Sequence, residues 1–415
     1  MLSTGRDVDY RAKSQELQWI GETERFNYVV GLYYFQERGE TTDPLDLSLY
    51  PAQLAPGVFA PSPLIISRYG LDNDATAMFA QFEWLPPVLE DRLRLTLGGR
   101  YTREQKSITR FYQLPAFGAP LIDDAEFDKD YSNFSPTFVV SYQPSYDVNV
   151  YGKIARGWKA GVFNAESSDL RELDSPIDPE SVTSFELGMK SRWWQDRLQL
   201  NAALFYNRHK DMQISRFRQD EAQSVFSNAG AASVRGLELE LVAIPVENLQ
   251  LTIGYGYTDP EYRKYMDECR LTATGANPCP AGVVPGQLYD ARDVNRFPYT
   301  AEHAGNIAVE YTLPLQLPGG GELSARLDWS YTDGYATYPD PYNYENTSVR
   351  SHDLLDARLT WGHIALGGDA ELAVSVWGKN LLDESYRVNG IEWGPFTTMR
   401  FGDPRSAGVD ATVKF

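Results

Sequence analysis

A chain of 415 residues is long enough for two or three ordinary domains, yet no stretch of it reads as a linker between them. Its 57 acidic and 38 basic residues leave a net charge of -19, which argues against nucleic acid, whose phosphates demand basic patches. No apolar run approaches the ~18 residues of a membrane-crossing helix and no long stretch carries a helical period, so a helical membrane span is excluded.

The chain opens on a short polar stretch, residues 1–9, that lacks the apolar core of a signal peptide. Strand-like alternation follows from about Tyr10. Over residues 91–101, Leu93, Leu95, Leu97, Gly99 and Tyr101 point one way, and Arg94, Thr96 and Arg100 the other. Residues 236–243 repeat the pattern. Over 248–257, Leu249, Leu251, Ile253, Tyr255 and Tyr257 oppose Gln250, Thr252 and two glycines. Over 322–331, Leu323, Ala325, Leu327, Trp329 and Tyr331 oppose Ser324, Arg326, Asp328 and Ser330. Residues 354–361 and 371–380 behave alike. The chain closes on Val409, Ala411, Val413 and Phe415 against Asp410, Thr412 and Lys414.

An apolar face with aromatic ends, backed by a charged face, suits a strand between lipid and a wet lumen. A strand of about ten residues tilted ~45° spans roughly 23 Å, close to an apolar band of about 25 Å. A soluble edge strand alternates in the same way, so no single strand decides. About fifteen strands are predicted, joined alternately by short and long connections. The short ones fall at 21–24, 86–90, 143–145, 195–196, 245–247, 314–321 and 363–368. The long ones fall at 38–72, 107–127, 160–177, 219–223, 259–295, 333–349 and 385–402. Short turns at one end and long loops at the other define an outer-membrane barrel, and a periplasmic Phe415 puts every long loop outside. The predicted fold is therefore all-β: an antiparallel transmembrane β-barrel forming one unit over 1–415.

Between the strands lie clusters of acid, such as Asp123, Asp124, Glu126 and Asp128. They read as solvated loops, or as sites where divalent cations bridge to lipopolysaccharide. Cys269 and Cys279 share one long loop, and in an oxidising exterior they are expected to form a disulfide. No nucleophile arrangement is present, and His209, His303, His352 and His363 are scattered singly. No catalytic residue, metal site or cofactor is expected. Glu238 and Glu240 lie two apart, which is also plain strand spacing. Tyr335, Tyr338, Tyr342 and Tyr344 crowd one loop, and Trp393 and Phe396 lie on the last long loop. These aromatics suit capture of a ring-bearing ligand, or packing within the loops themselves.

Several segments, in order, resemble the TonB-dependent outer-membrane receptors. They begin with Tyr151-Gly-Lys-Ile-Ala-Arg-Gly-Trp-Lys-Ala-Gly-Val-Phe-Asn164 and Glu180-Ser-Val-Thr-Ser-Phe-Glu-Leu-Gly-Met-Lys190. Asn201-Ala-Ala-Leu-Phe-Tyr206 and Asn228-Ala-Gly-Ala-Ala-Ser-Val-Arg-Gly-Leu-Glu-Leu-Glu240 continue the match. Asn380-Leu-Leu-Asp-Glu-Ser-Tyr386, Pro404-Arg405 and terminal Phe415 resemble the closing signature. The resemblance implies 22 strands around a plug, of which about 15 strands and no plug or TonB box are legible here. It implies an outer-membrane receptor of a Gram-negative bacterium that imports a scarce nutrient, most often a ferric siderophore, without covalent chemistry. A passive porin-like channel and an inactive receptor fragment are the alternatives. The implied partners are outer-membrane lipid and lipopolysaccharide, the TonB system through the parts not seen, and a small iron chelate. The barrel-assembly machinery is the partner that reads Phe415.

Overall fold

The computed structural model describes residues 3–46, 52–55, 58–60, 64–114, 118–218, 223–228, 230–269, 279–315, 317, 321–339, 347–392 and 397–415. Fifteen long strands carry the fold. The first eight are β1 (Asp7–Glu22), β2 (Phe26–Asp46), β3 (Leu64–Trp84), β4 (Leu93–Gln113), β5 (Ile122–Ser145), β6 (Val148–Lys159), β7 (Glu180–Trp193) and β8 (Leu198–Lys210). The rest are β9 (Gly230–Ala243), β10 (Leu249–Glu268), β11 (His303–Leu313), β12 (Glu322–Thr332), β13 (His352–Gly367), β14 (Ala370–Lys379) and β15 (Ser406–Lys414). Each pairs antiparallel with its neighbour in sequence, so one meander runs from β1 to β15. Two short segments, Ser3–Thr4 and Leu288–Asp290, complete a sheet of 17. The predicted all-β antiparallel architecture and its fifteen principal strands are those observed.

Register turns the alternation into two continuous faces. Leu17, Leu32, Met78, Tyr101 and Phe134 stand opposite one another across β1 to β5. Phe138, Ile154, Phe185 and Tyr206 continue the band across β5 to β8. Leu17, Leu32, Met78, Phe134, Leu187, Leu204, Leu327 and Val409 are each more than half exposed. An apolar surface this extended has no place in water and is matched to hydrocarbon.

The opposite face is polar and internally bonded. Arg326 bridges Glu310 at 3.2 Å and Asp328 at 2.7 Å, Arg94 reaches Glu83 at 3.5 Å, and Arg358 meets Asp410 at 3.0 Å. Tyr151 donates to Glu186 at 2.6 Å, and the Asn201 amide donates to Glu240 at 3.2 Å. Such exposed pairs contribute little stability each; their common face is what matters. Gly254, on this face, leaves room for the Asn306 amide, whose oxygen would lie 2.4 Å from an added Cβ.

The loop boundaries differ from the sequence expectation. Residues 38–72 read as a loop, yet β2 runs on to Asp46 and β3 starts at Leu64, with Arg38 paired to Asp72. Likewise β4, β5 and β10 penetrate the segments assigned to loops at 107–127 and 259–295. A strand of 21 residues such as β3 is about 69 Å long, more than an apolar band of ~25 Å needs even when tilted. The excess stands in water, where polar side chains on both faces erase the period of two while the backbone ladder continues.

β1 and β15 form the edges of the sheet, and among the described residues neither has a partner on its outer side. Fifteen alternating strands leave these two edges pointing the same way. Closing this sheet in an all-antiparallel pattern therefore takes an odd number of further strands. In lipid each unpaired N–H or C=O costs several kcal/mol.

The register makes a direct prediction. Leu239 and Glu240 are adjacent on β9 and lie on opposite faces. In the membrane-inserted protein Leu239→Arg is expected to cost about 2–4 kcal/mol, and Glu240→Arg far less. Equal shifts in denaturant midpoint, measured in lipid vesicles, would contradict this facing.

Candidate functional site at the outer mouth

The long-loop end is built from small cores that the sheet itself does not supply. Ile108, Arg110 and Tyr112 lie on the polar face of β4, above the level of the apolar band. Residues 160–179 fold in over them. Phe163 and Leu173 pack with Ile108, Tyr112 and Ile122 in one buried cluster. Leu173 sits on a five-residue helix, Leu170–Asp174, whose first turn is capped by Asp169 accepting from the Arg171 amide at 2.9 Å.

Arg110 fixes this loop. Its guanidinium is fully buried and donates to the carbonyls of Ser167 at 3.0 Å, Glu166 at 3.1 Å, Arg68 at 3.1 Å and Phe111 at 2.8 Å, and to the Ser67 hydroxyl at 2.9 Å. Burial pushes its pKa below the ordinary value, though the group stays charged. Four carbonyl dipoles do the work of a counter-ion, and they come from two strands and one loop.

A second set of bonds joins this loop to the segment after β8. The Asn164 side chain pairs with the backbone of Phe226, donating to its carbonyl at 3.1 Å and accepting from its amide at 2.6 Å. The Gln213 amide donates to the carbonyls of Ala160 at 2.8 Å and Asp178 at 3.0 Å. Glu180 accepts from the Gln213 backbone at 2.9 Å and lies 3.4 Å from His209. Burial alone would raise the Glu180 pKa, but these bonds outweigh it and hold the carboxyl below its usual range. Tyr131 lies beside Gly161, and its hydroxyl is pushed up to about 12 by burial and by nearby Asp178. A second core packs Ile214, Ala232, Tyr262, Tyr265 and Ala291 together, with Phe297 stacked on Tyr262 at 4.0 Å.

The remaining loops meet around Tyr335. Its hydroxyl donates to the Val388 carbonyl at 3.3 Å, its backbone bridges Val349, and its ring lies 6.1 Å from Tyr299. Tyr299 in turn donates to Asn389 at 2.8 Å. Asn380 orders the last loop: its amide donates to the carbonyls of Glu384 and Asp403, and its oxygen accepts from the Glu384 backbone. The loop carrying Tyr335 and Tyr338 thus touches the last loop. Tyr342, Tyr344, Trp393 and Phe396 lie outside the described residues. Part of the Tyr335 surface is spent on loop packing, the alternative that the sequence left open.

Cys269 and Cys279 are bonded, S–S 1.97 Å, beside the short pairing of Leu288–Asp290 with β10. Phe415 ends the chain fully exposed. Among the described residues no group of three or more His, Cys, Asp or Glu is placed to hold a metal. Sequence reading missed the roles of Arg110, Asn164 and Gln213; an Arg flanked by Ile108 and Tyr112 was the signal available for the first. The mouth offers ordered aromatic and amide groups, suited to binding.

A model of the family described as TonB dependent receptor-like, beta-barrel, matches residues 2–381. The pesticin receptor of Yersinia pestis is 22% identical over 398 residues, 95% of this chain and 50% of that protein. The ferric-pyoverdine M114 receptor PbuA of Pseudomonas sp. (strain M114) is 27% identical over 245 residues, 58% of this chain and 25% of that one. Among solved structures, the ferric yersiniabactin uptake receptor FyuA from Yersinia pestis superposes with a TM-score of 0.76 at 20% identity, covering 100% of this chain and 56% of that one. The copper transporter OprC gives 0.67 at 13% identity, covering 99% of this chain and 57% of that one. The chain spans about half the length of the relatives it matches end to end.

Two predictions follow from the mouth. Arg110→Met leaves four carbonyls without their donor, a local loss on the order of 3 kcal/mol. Cleavage within 160–179 by added protease is expected to accelerate by about a hundredfold, with Arg110→Lys intermediate because an ammonium has three donors in place of five. An unchanged rate would remove Arg110 from this role. For the cysteines, protein purified from the cell envelope is expected to carry no free thiol, with the bond adding about 2–3 kcal/mol to local order. Two free thiols by mass spectrometry would contradict it.

Proposed function

The chain belongs to the TonB-dependent receptor-like β-barrel family, and on that premise we propose that it forms the wall and outer mouth of a receptor importing a ferric siderophore across the outer membrane. The observation that carries the reading is the two-faced sheet with an ordered mouth at one end only. The apolar face seals against lipid, the polar face lines a passage, and the mouth presents aromatic and amide groups to the exterior. The proteins of this family are receptors, and the family resides in the outer membrane. Relatives named as a probable siderophore receptor, a ferric-pyoverdine receptor and a ferrioxamine B receptor, and a solved neighbour titled a ferric yersiniabactin uptake receptor, support iron chelates as the cargo class.

The barrel's part in import is positional. Hydroxyls and rings at the mouth, Tyr335 and Tyr338 among them, hold a flat, polar-edged chelate by stacking and hydrogen bonds. No bond is made or broken by the wall, and energy reaches the passage through the TonB system. Trp393 and Phe396 complete the ligand surface in this reading, and the exposed Phe415 is the mark read by the assembly machinery.

The test is uptake of radiolabelled ferric siderophores by iron-starved cells in which this gene is the sole receptor of its family. Uptake is expected to vanish on deletion and on collapse of the proton-motive force. Tyr338→Ala is expected to weaken binding by about tenfold. Uptake that persists without the proton-motive force would favour a passive channel and overturn energised import. Normal growth on every iron chelate after deletion would overturn the cargo class.

A further inference from the structure

On the apolar face, one row above the Ile154, Phe185 and Tyr206 band, the surface turns basic. Arg156, Thr183 and Arg208 stand directly opposite one another on β6, β7 and β8. The next row is Trp158, Ser181 and Lys210. Arg156 and Trp158 follow Ile154 in steps of two, and Arg208 and Lys210 follow Tyr206 in the same way. All four therefore share the face of the apolar band. Arg156, Arg208 and Lys210 are exposed, and among the described residues none has a carboxylate in ion-pair range.

Several other cations on this face above the band are neutralised, while Lys13 and Lys264 stand singly on β1 and β10. Arg235 holds Asp259 at 2.7 Å, Arg263 holds Glu261 at 2.9 Å, Arg103 reaches Asp130 at 3.4 Å, and Arg38 lies 3.9 Å from Asp72. Against a net charge of -19, Arg156, Arg208 and Lys210 are three unpaired cations gathered in one patch over three consecutive strands. Two strand spacings separate Arg156 from Arg208 by about 10 Å, and Lys210 lies about 7 Å further along. Between them sit the hydroxyls of Thr183 and Ser181. Guanidinium forks match phosphate oxygens in pairs, and a lysine adds a point charge.

We infer that this patch binds the phosphorylated headgroup of an outer-leaflet glycolipid, with its acyl chains on Phe138, Ile154, Leu187 and Leu204 beneath. The inference rests on the proposed outer-membrane placement. Continuity with the apolar band selects a lipid over free phosphate, because both halves of the ligand then find a complementary surface. Trp158 stands at the headgroup level, where amphipathic rings are favoured.

The experiment uses protein extracted from outer membranes in mild detergent, stripped of lipid and offered glycolipids of lipid A type, with bound lipid counted by native mass spectrometry. The bis-phosphorylated form is expected to be retained and the dephosphorylated form lost. The variant R156Q/R208Q/K210Q is expected to lower retention by about fivefold per cation, roughly a hundredfold together. The control R38Q/R103Q/R235Q, with the same charge change, is expected to leave retention as it was, and millimolar inorganic phosphate is expected not to displace the lipid. Heat-dependent gel mobility reports that each variant is folded, and the comparison of the two glycolipids needs no substitution. Equal retention of both forms, or equal loss in both variants, would overturn the site alone. Absence of the protein from the outer-membrane fraction would overturn the placement, and the site with it.

Discussion

Everything in this molecule depends on one constraint: backbone polar groups in hydrocarbon must be paired, and only a continuous ladder pairs them. The fifteen-strand meander is that ladder. Because side chains alternate along each strand, a ladder in fixed register sorts the chain into two surfaces without any conventional core. Slipping one strand by one residue would put Arg326 into lipid and Leu327 onto the polar face. The apolar face is thus at once the membrane seal and the device that fixes register.

The outer end obeys different rules. Beyond the membrane the ladder persists, but alternation no longer matters because water lies on both sides. Order there comes from two buried clusters and from side chains that act as backbone surrogates. Asn164 completes a two-bond pairing with Phe226 that a strand would otherwise supply. Arg110 gathers carbonyls from three segments, a task that suits a planar group with five donors. Loops held this way are part of the wall, so the mouth presents a pre-organised surface.

The same division of labour separates the polar wall from the mouth. The polar wall carries many ion pairs, some across neighbouring strands, as Arg326 with Glu310, and some along one strand, as Arg326 with Asp328. At the mouth, rings and amides bond across loops and to backbone groups, and on the lipid-facing side three cations stand above the band.

The sequence by itself determined the strands, their number, their two faces and their short-and-long connection pattern, because a period of two is a local property written in residue order. It also placed Cys269 and Cys279 within one loop. It did not determine where β2, β3, β4, β5 and β10 end, since above the membrane polar residues on both faces leave no period to read. Nor did it disclose Arg110, Asn164 or Gln213, whose partners lie tens of residues away and are backbone atoms without side-chain identity. The row of Arg156 and Arg208 is likewise invisible in a single strand: only register across β6, β7 and β8 sets residues 52 positions apart side by side. Local periodicity is encoded along the chain, whereas juxtaposition belongs to the sheet, and that is the part the tertiary structure decided.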